Sequence, residues 1–232
     1  MTILCIETST SVCSAAICKD GRPIKQYICK EGSNHARLLP TYIAQLLQYA
    51  RENGQILEAV ALSEGPGSYT GLRIGTATAK GLCYGLNIPL IPVPTLEVLC
   101  QAAKENTAYS IQNTDLLFPM IDARRMEVYT IGEDGKARAV IVENEESLMN
   151  GERLAESGEV YYFGDGAAKC QAVLTRPNWH YMPDIVPEAQ YMGALAEKTA
   201  KGQRLTANDI AYYEPYYLKE FIAAPSHVKG LS

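Results

Sequence analysis

Short apolar runs punctuated by turn residues, with longer stretches of helical periodicity between them, organise the first hundred positions. Ile3–Glu7, Ser14–Cys18 and Ile24–Cys29 read as strands, and Lys19-Asp20-Gly21-Arg22 supplies the hairpin turn between the last two. A helix is expected from about Asn34 to Arg51, a strand from about Glu58 to Leu62, a helix from Leu72 to Leu86, a strand from Ile88 to Val93 and a helix from Thr95 to about Lys104. The order is β-β-β-α-β-α-β. After a polar link from Asn106 to Asn113 it starts again: strands at Leu116–Ile121, Glu127–Ile131 and Arg138–Glu143, with Glu133-Asp134-Gly135-Lys136 as the second hairpin turn. A short helix, a strand at Val160–Phe163 and a helix from Ala167 follow.

A repeated unit of three antiparallel strands followed by parallel β-α steps predicts an α/β, two-lobed, duplicated fold of the ribonuclease-H-like kind, as in actin and Hsp70-type proteins. The lobes are expected at 1–103 and 104–232, with a tail from about residue 212 that packs back on the first. In each half the first strand ends in an acid, Glu7 before Thr8-Ser9-Thr10 and Asp122 before Ala123-Arg124-Arg125. In such folds two acids face each other across a nucleotide cleft; equally, each acid can be a solvated strand end or a helix-dipole partner.

Ser63-Glu64-Gly65-Pro66-Gly67-Ser68-Tyr69-Thr70-Gly71-Leu72-Arg73 is a glycine-rich turn from a buried strand into a helix. Such a turn aims backbone N–H groups and the positive end of a helix at one spot. Glu7, Ser9, Gly65, Gly67, Ser68, Thr70, Arg73 and Asp122 are the candidate residues of an anion or nucleotide loop; the alternative is a tight turn capped by Ser68 or Thr70. Neither common phosphate fingerprint fits. Gly71-Leu72-Arg73 stands where a Walker loop needs Gly-Lys-Ser/Thr, and Gly65-x-Gly67-x-x-x-Gly71 is one residue too long for a dinucleotide fingerprint. Arg73 can secure Glu7, Glu64 or an anion, with a structural ion pair as the favoured role.

The 232 residues, 47% hydrophobic and 20% charged, suffice for one large core or two small ones. A net charge of −5 without a dense basic run lacks the footprint of an autonomous nucleic-acid binder, so any RNA is expected to be held by a partner. No apolar run reaches the roughly 20 residues of a membrane span, and the first residues carry no basic leader, which points to the cytoplasm. Seven scattered cysteines without a Cys-x-x-Cys pair read as reduced core residues, and no metal site is expected.

Five segments together give the chain a family likeness: the N-terminal Met1–Ile17, Asn34–Pro40, Ser63–Leu82, Ile91–Leu99 and Asp122–Tyr129. They resemble the TsaB (YeaZ) family over residues 1 to about 130, and Pro215-Tyr216-Tyr217-Leu218-Lys219 looks like its tail motif. The resemblance implies a non-catalytic subunit of the machinery that makes N6-threonylcarbamoyladenosine at position 37 of tRNA. In that family TsaD transfers the threonylcarbamoyl group, TsaB binds TsaD, and the ATPase TsaE joins the pair. It implies contact with tRNA only through the complex, a homodimer when the chain is alone, and no tightly bound cofactor, with ATP or ADP at the complex interface. An older label as a putative glycoprotease also attaches to the family.

That label is not matched by the residues. The catalytic paralogue binds metal through His-x-x-x-His, but His35 is followed four positions later by Leu39, and His180 and His227 lie far away. Metalloprotease and serine-elbow motifs are absent, so no catalytic residue is expected. Asp122 precedes Arg124 and Arg125 where glycines would ease phosphate approach. An ATP-dependent kinase or hydrolase using Glu7 and Asp122 stays open as an alternative. The partner surface is expected on the first two helices. Apolar residues of the helix from Asn34, among them Leu38, Leu39, Tyr42 and Leu46, fill an arc of roughly 180°, against the about 100° of a one-sided helix. Gly71, Gly75 and Ala79, with Thr78 and Leu82 close by, form a small-residue stripe on the next helix. On this reading Leu39→Glu or Ala79→Arg abolishes complex formation and leaves a folded chain.

Overall fold

The computed structural model describes residues 1–32, 34–149, 151, 158–201 and 204–219. Strands β1 (Thr2–Glu7), β2 (Cys13–Lys19) and β3 (Arg22–Cys29) form an antiparallel meander, and β4 (Ala59–Gly65) and β5 (Leu90–Pro94) extend it in parallel on the other side of β1. The spatial order is β3-β2-β1-β4-β5. Asp20 and Gly21 both take positive φ, which the hairpin requires, and Lys19 pairs with Arg22 across the turn.

Both faces of this sheet are covered, which is why β1, β2 and β4 carry apolar residues almost without alternation. Leu4, Ile6, Val60 and Leu62 face helices α1 (His35–Glu52) and α2 (Tyr69–Leu86) in one core cluster. Ile3, Cys5, Ala59 and Ala61 face the opposite way. There they meet Val98 of α3 (Thr95–Glu105), a 3-10 turn at Ala189–Met192 and α4 (Gly193–Ala200). The second half of the chain thus supplies a layer of the first lobe. Leu205 bridges back to Leu90, and α5 (Ala207–Tyr212) packs beside α2.

The expected strand Leu116–Ile121 is divided at Met120 into β6 (Leu116–Pro119) and β7 (Ile121–Asp122). β6 pairs in parallel with β10 (Val160–Phe163), whereas β7 pairs antiparallel with β8 (Glu127–Ile131), which continues to β9 (Ala137–Ile141). Pro119 has no N–H to carry a ladder onward. Met120 N–H donates instead to Phe163 C=O at 2.7 Å, and Met120 C=O accepts from Gly166 N–H at 3.0 Å. With the two pieces taken as one position, the order β9-β8-β7/β6-β10-β11 repeats that of the first sheet, β11 (Trp179–Met182) being a strand the pattern did not announce.

The helix expected from Ala167 is a single 3-10 turn, Ala168–Cys170. After β9 a 3-10 turn at Glu145–Ser147 is closed by an Asn144–Ser147 capping box, and most of the stretch from 150 to 157, where the short helix is expected, lies outside the described residues. Gly164 at φ +104° and Gly166 press against Met120 and Ile121, so the chain leaves β10 in a tight loop with no room for a regular first helical turn. Ile121, Phe163, Met182 and Ile185 join Leu96, Leu99, Ala102 and Ala103 of α3 in a core that ties the two sheets together. Among the described residues no helix is long and apolar enough to cross a membrane.

Candidate functional site: the glycine turn and the helix it launches

β1 delivers Glu7 to a fully buried position at the root of the β1–β2 loop. Its Oε1 accepts hydrogen bonds from Ser9 N–H at 2.6 Å and Ser9 Oγ at 2.5 Å, while its Oε2 is buried without a partner. Burial pushes the Glu7 carboxyl up, and the Ser9 and Ser63 hydroxyls, with the Ser9 and Thr8 backbone, pull it partly back. Beside it, Ser63 Oγ and Thr95 Oγ1 lie 2.6 Å apart, and Thr95 Oγ1 also accepts from Gly65 N–H at 3.1 Å.

The turn closes over the same loop. Ser68 N–H donates to Ser9 C=O at 2.6 Å, and Thr8 Oγ1 donates to Gly71 C=O at 2.8 Å. Gly71 N–H donates to Ser68 Oγ, so Ser68 is the N-cap and the helix begins at Tyr69, earlier than the expected Leu72. The glycines are needed for proximity. A Cβ at Gly67 would lie 2.2 Å from Ser9 C=O, at Gly71 2.0 Å from Thr8 C=O, and at Gly75 2.3 Å from Thr8 Oγ1. Gly65, at φ +117°, would strike the Tyr216 carbonyl. The N–H groups of Gly65, Ser68, Gly71 and Leu72 all have partners within the chain, and the concave side of the turn holds the Thr8-Ser9 backbone. The residues grouped as an anion loop are therefore brought together as a packed junction, with Thr70 exposed at its rim.

Arg73 and Asp122 do not join it. Arg73 is exposed, donates to Tyr69 Oη at 3.2 Å and lies over the Tyr69 ring, so the expected ion pair with Glu7 or Glu64 gives way to an aromatic partner. Asp122 stays in the second lobe, half exposed and paired with Lys169, and accepts from Arg124 N–H, while its own N–H donates to Asp165. Arg124 and Arg125 both adopt positive φ, the conformation glycine would take with less strain. Glu7 and Asp122 are thus each engaged within their own lobe.

The small-residue stripe also lands differently. Gly71, Gly75 and Ala79 face inward, and Leu39 and Leu46 of α1 are completely buried in the same core. Leu38, Tyr42, Thr78 and Leu82 are half-buried along its edge. Leu39→Glu and Ala79→Arg would therefore put a charge in the core and unfold the lobe. A second small stripe, Ala77, Gly81 and Gly85, lies on the opposite side of α2 and is exposed, and added Cβ atoms at Gly81 and Gly85 meet open space. Tyr84, 86% exposed, stands on that side. Both stripes obey the same four-residue spacing, so periodicity alone does not tell inner from outer.

His35 is buried, and its Nε2 lies 3.2 Å from Val12 C=O, the place of a structural histidine. His180 pairs with Glu159 and packs on Tyr161; His227 lies outside the described residues. The residues whose role the pattern missed are Thr8 and Thr95, together with the individual partners of the C-terminal strap. Tyr216 N–H donates to Glu64 C=O at 2.7 Å, the Tyr217 ring lies 4.9 Å from that of Tyr69, and Lys219 pairs with Glu127 of β8. The polar run after β1 was the available signal for Thr8, but the strap's contacts join positions more than ninety residues apart.

Comparison with known proteins places these features in a family. A family model described as TsaD, tRNA N6-adenosine threonylcarbamoyltransferase, matches residues 30–213. The chain is 28% identical to the tRNA threonylcarbamoyladenosine biosynthesis protein TsaB of Haemophilus influenzae, with 94% of each chain covered. It is 37% identical to the Bacillus subtilis protein of the same name over 56% of this chain and 54% of that one. A solved structure of YeaZ from Pseudomonas aeruginosa superposes with a TM-score of 0.69 at 26% identity, covering 94% of this chain and 99% of the other.

Proposed function

Since the chain belongs to the tRNA N6-adenosine threonylcarbamoyltransferase family, and within it to the TsaB (YeaZ) group, we propose that it is a subunit of the tRNA threonylcarbamoyladenosine synthesis machinery that binds and activates a TsaD-type transferase without itself catalysing the transfer. The observation that carries this reading is the correspondence with a TsaB protein along 94% of both chains, second lobe included. The packed glycine turn supports the non-catalytic part, because the amides of Gly65, Ser68, Gly71 and Leu72 already have partners within the chain and the concave side holds the Thr8-Ser9 backbone. His35 supports it too, being tied to Val12 with Leu39, a core leucine, four positions on.

The partner surface of this reading is the outer side of α1 and α2: Leu38, Tyr42, Thr78 and Leu82 at the edge, and Ala77, Gly81 and Tyr84 across the exposed side. Small residues allow a partner helix to approach closely, and the half-buried apolar edge supplies area. The same face pairs two copies when the transferase is missing, and a TsaE-type ATPase completes the assembly in the cytoplasm. Activation then works by binding one arrangement of the transferase better than another.

Two measurements test the reading. Ala77→Arg is expected to weaken association with the transferase by at least about tenfold, roughly 1.4 kcal/mol, while leaving the melting temperature of the isolated chain unchanged. Undiminished co-elution of Ala77→Arg with the transferase would remove α2 from the interface. Depletion of the chain is expected to lower N6-threonylcarbamoyladenosine in bulk tRNA, and unchanged nucleoside levels would overturn the function itself.

A further inference from the structure

We propose that Cys13 and Cys29 form a reversible disulfide site at the open end of the β2–β3 hairpin, oxidised by a low-molecular-weight disulfide. The two residues are direct partners in the antiparallel ladder. Such partners have Cα atoms about 4.5–5.5 Å apart and side chains on the same face, within the about 4.4–6.8 Å over which protein disulfides form. Closure requires the Cβ atoms to draw together, and the site lies where this is easiest: β2 begins and β3 ends at this pair, away from the Asp20-Gly21 turn. Burial, then the neighbouring Cys29 and Glu7, push the Cys13 thiol to about 11, and both thiols act on the Tyr42 hydroxyl.

The pair is asymmetric in a way that orders the chemistry. Cys13 is buried, whereas Cys29 is half-buried and turns its Sγ outward to Glu31 C=O at 3.1 Å. A dissolved reagent therefore meets Cys29 first. Its thiolate attacks one sulfur of oxidised glutathione, the glutathione S–S bond breaks, and one glutathione thiolate leaves and takes up a proton. Cys13 then gives up its proton and attacks Cys29 Sγ as the thiolate, the Cys29–glutathione S–S bond breaks, and the second glutathione leaves as a thiolate that takes up a proton. Two protein thiols lose two electrons and two protons, and one oxidised glutathione becomes two reduced molecules. Cys5 and Cys18 are also neighbours, but both are completely buried and present nothing to a reagent in solution. They are a control within the same sheet.

Oxidation would pull Cys29 away from Glu31 and fix the end of β3 where the chain turns into α1, next to the His35 contact with Val12. The test uses the full chain, native, incubated with oxidised glutathione, alkylated and mapped by peptide mass spectrometry. The expected product is a cross-linked peptide joining Cys13 to Cys29, two alkylatable thiols fewer than the untreated chain, and full reversal by dithiothreitol. Cys29→Ser should abolish the bridge, and Cys13→Ala should stop the reaction at a glutathione adduct on Cys29. A wild-type chain that keeps all its thiols, stops at the adduct or bridges another pair would overturn the proposal, and none of these readings depends on the variants folding.

Discussion

Glu7 shows how far one residue's meaning depends on its surroundings. As a sequence position it is an acid at the end of a strand; in the fold it is sealed, with one oxygen served by Ser9 and the other alone. Burial raises its carboxyl. A carboxyl whose folded pKa exceeds its unfolded value favours folding in full below the unfolded value, about 4.3, and loses that contribution as pH rises to the folded value. Glu7→Gln cannot ionise. Its melting temperature relative to wild type should therefore improve as the pH is raised above the unfolded value and level off once the folded value is passed; a relative loss on raising the pH would mean that the fold holds Glu7 as a stabilised carboxylate. The acid and its neighbouring polar run were legible in the sequence. Its isolation was not, because burial is conferred by α3 and the glycine turn, which arrive from elsewhere in the chain.

At the scale of elements, α2 carries the sharpest contrast. Its inner glycines are there for contact and its outer ones are not, so the same substitution has opposite signs on the two sides. Gly71→Ala sets a methyl group against the Thr8 carbonyl and should cost about 1–3 kcal/mol or more. Gly81→Ala meets open space and should stabilise the chain by about 0.5–1 kcal/mol through helix propensity. Paired urea denaturation curves check both, and equal effects at the two sites would contradict the inward orientation of the Gly71-Gly75-Ala79 stripe. Most elements of the first lobe were legible, since their apolar runs and turn signals are local. In the second lobe Pro119 divided a strand and tight glycines after β10 cut a helix to a single turn, because packing against Met120 overrode the local pattern.

The whole molecule is joined by segments that cross it. Residues 189–200 cover one face of the first sheet, and the strap from Tyr213 to Lys219 runs from the glycine turn to β8. Lys219 and Glu127 are both partly exposed, so their ion pair adds at most about 1 kcal/mol to stability. Lys219→Glu should leave the melting temperature nearly unchanged and still increase amide exchange at Tyr216 and Tyr217, because it frees one end of the strap; unchanged exchange would show that Tyr216 and Tyr217 hold it without Lys219. By itself the sequence determined the β-β-β-α-β-α-β order of the first lobe, its partial repeat from Leu116 and the hairpin turns, which follow from local spacing and turn chemistry, while the motifs of five segments carried the resemblance to the family. Which small face of α2 looks outward, what fills the glycine turn and which residues meet where the lobes are tied together were decided only by tertiary structure. Those outcomes depend on contacts between residues far apart in the chain, and neither periodicity nor composition encodes which surfaces meet.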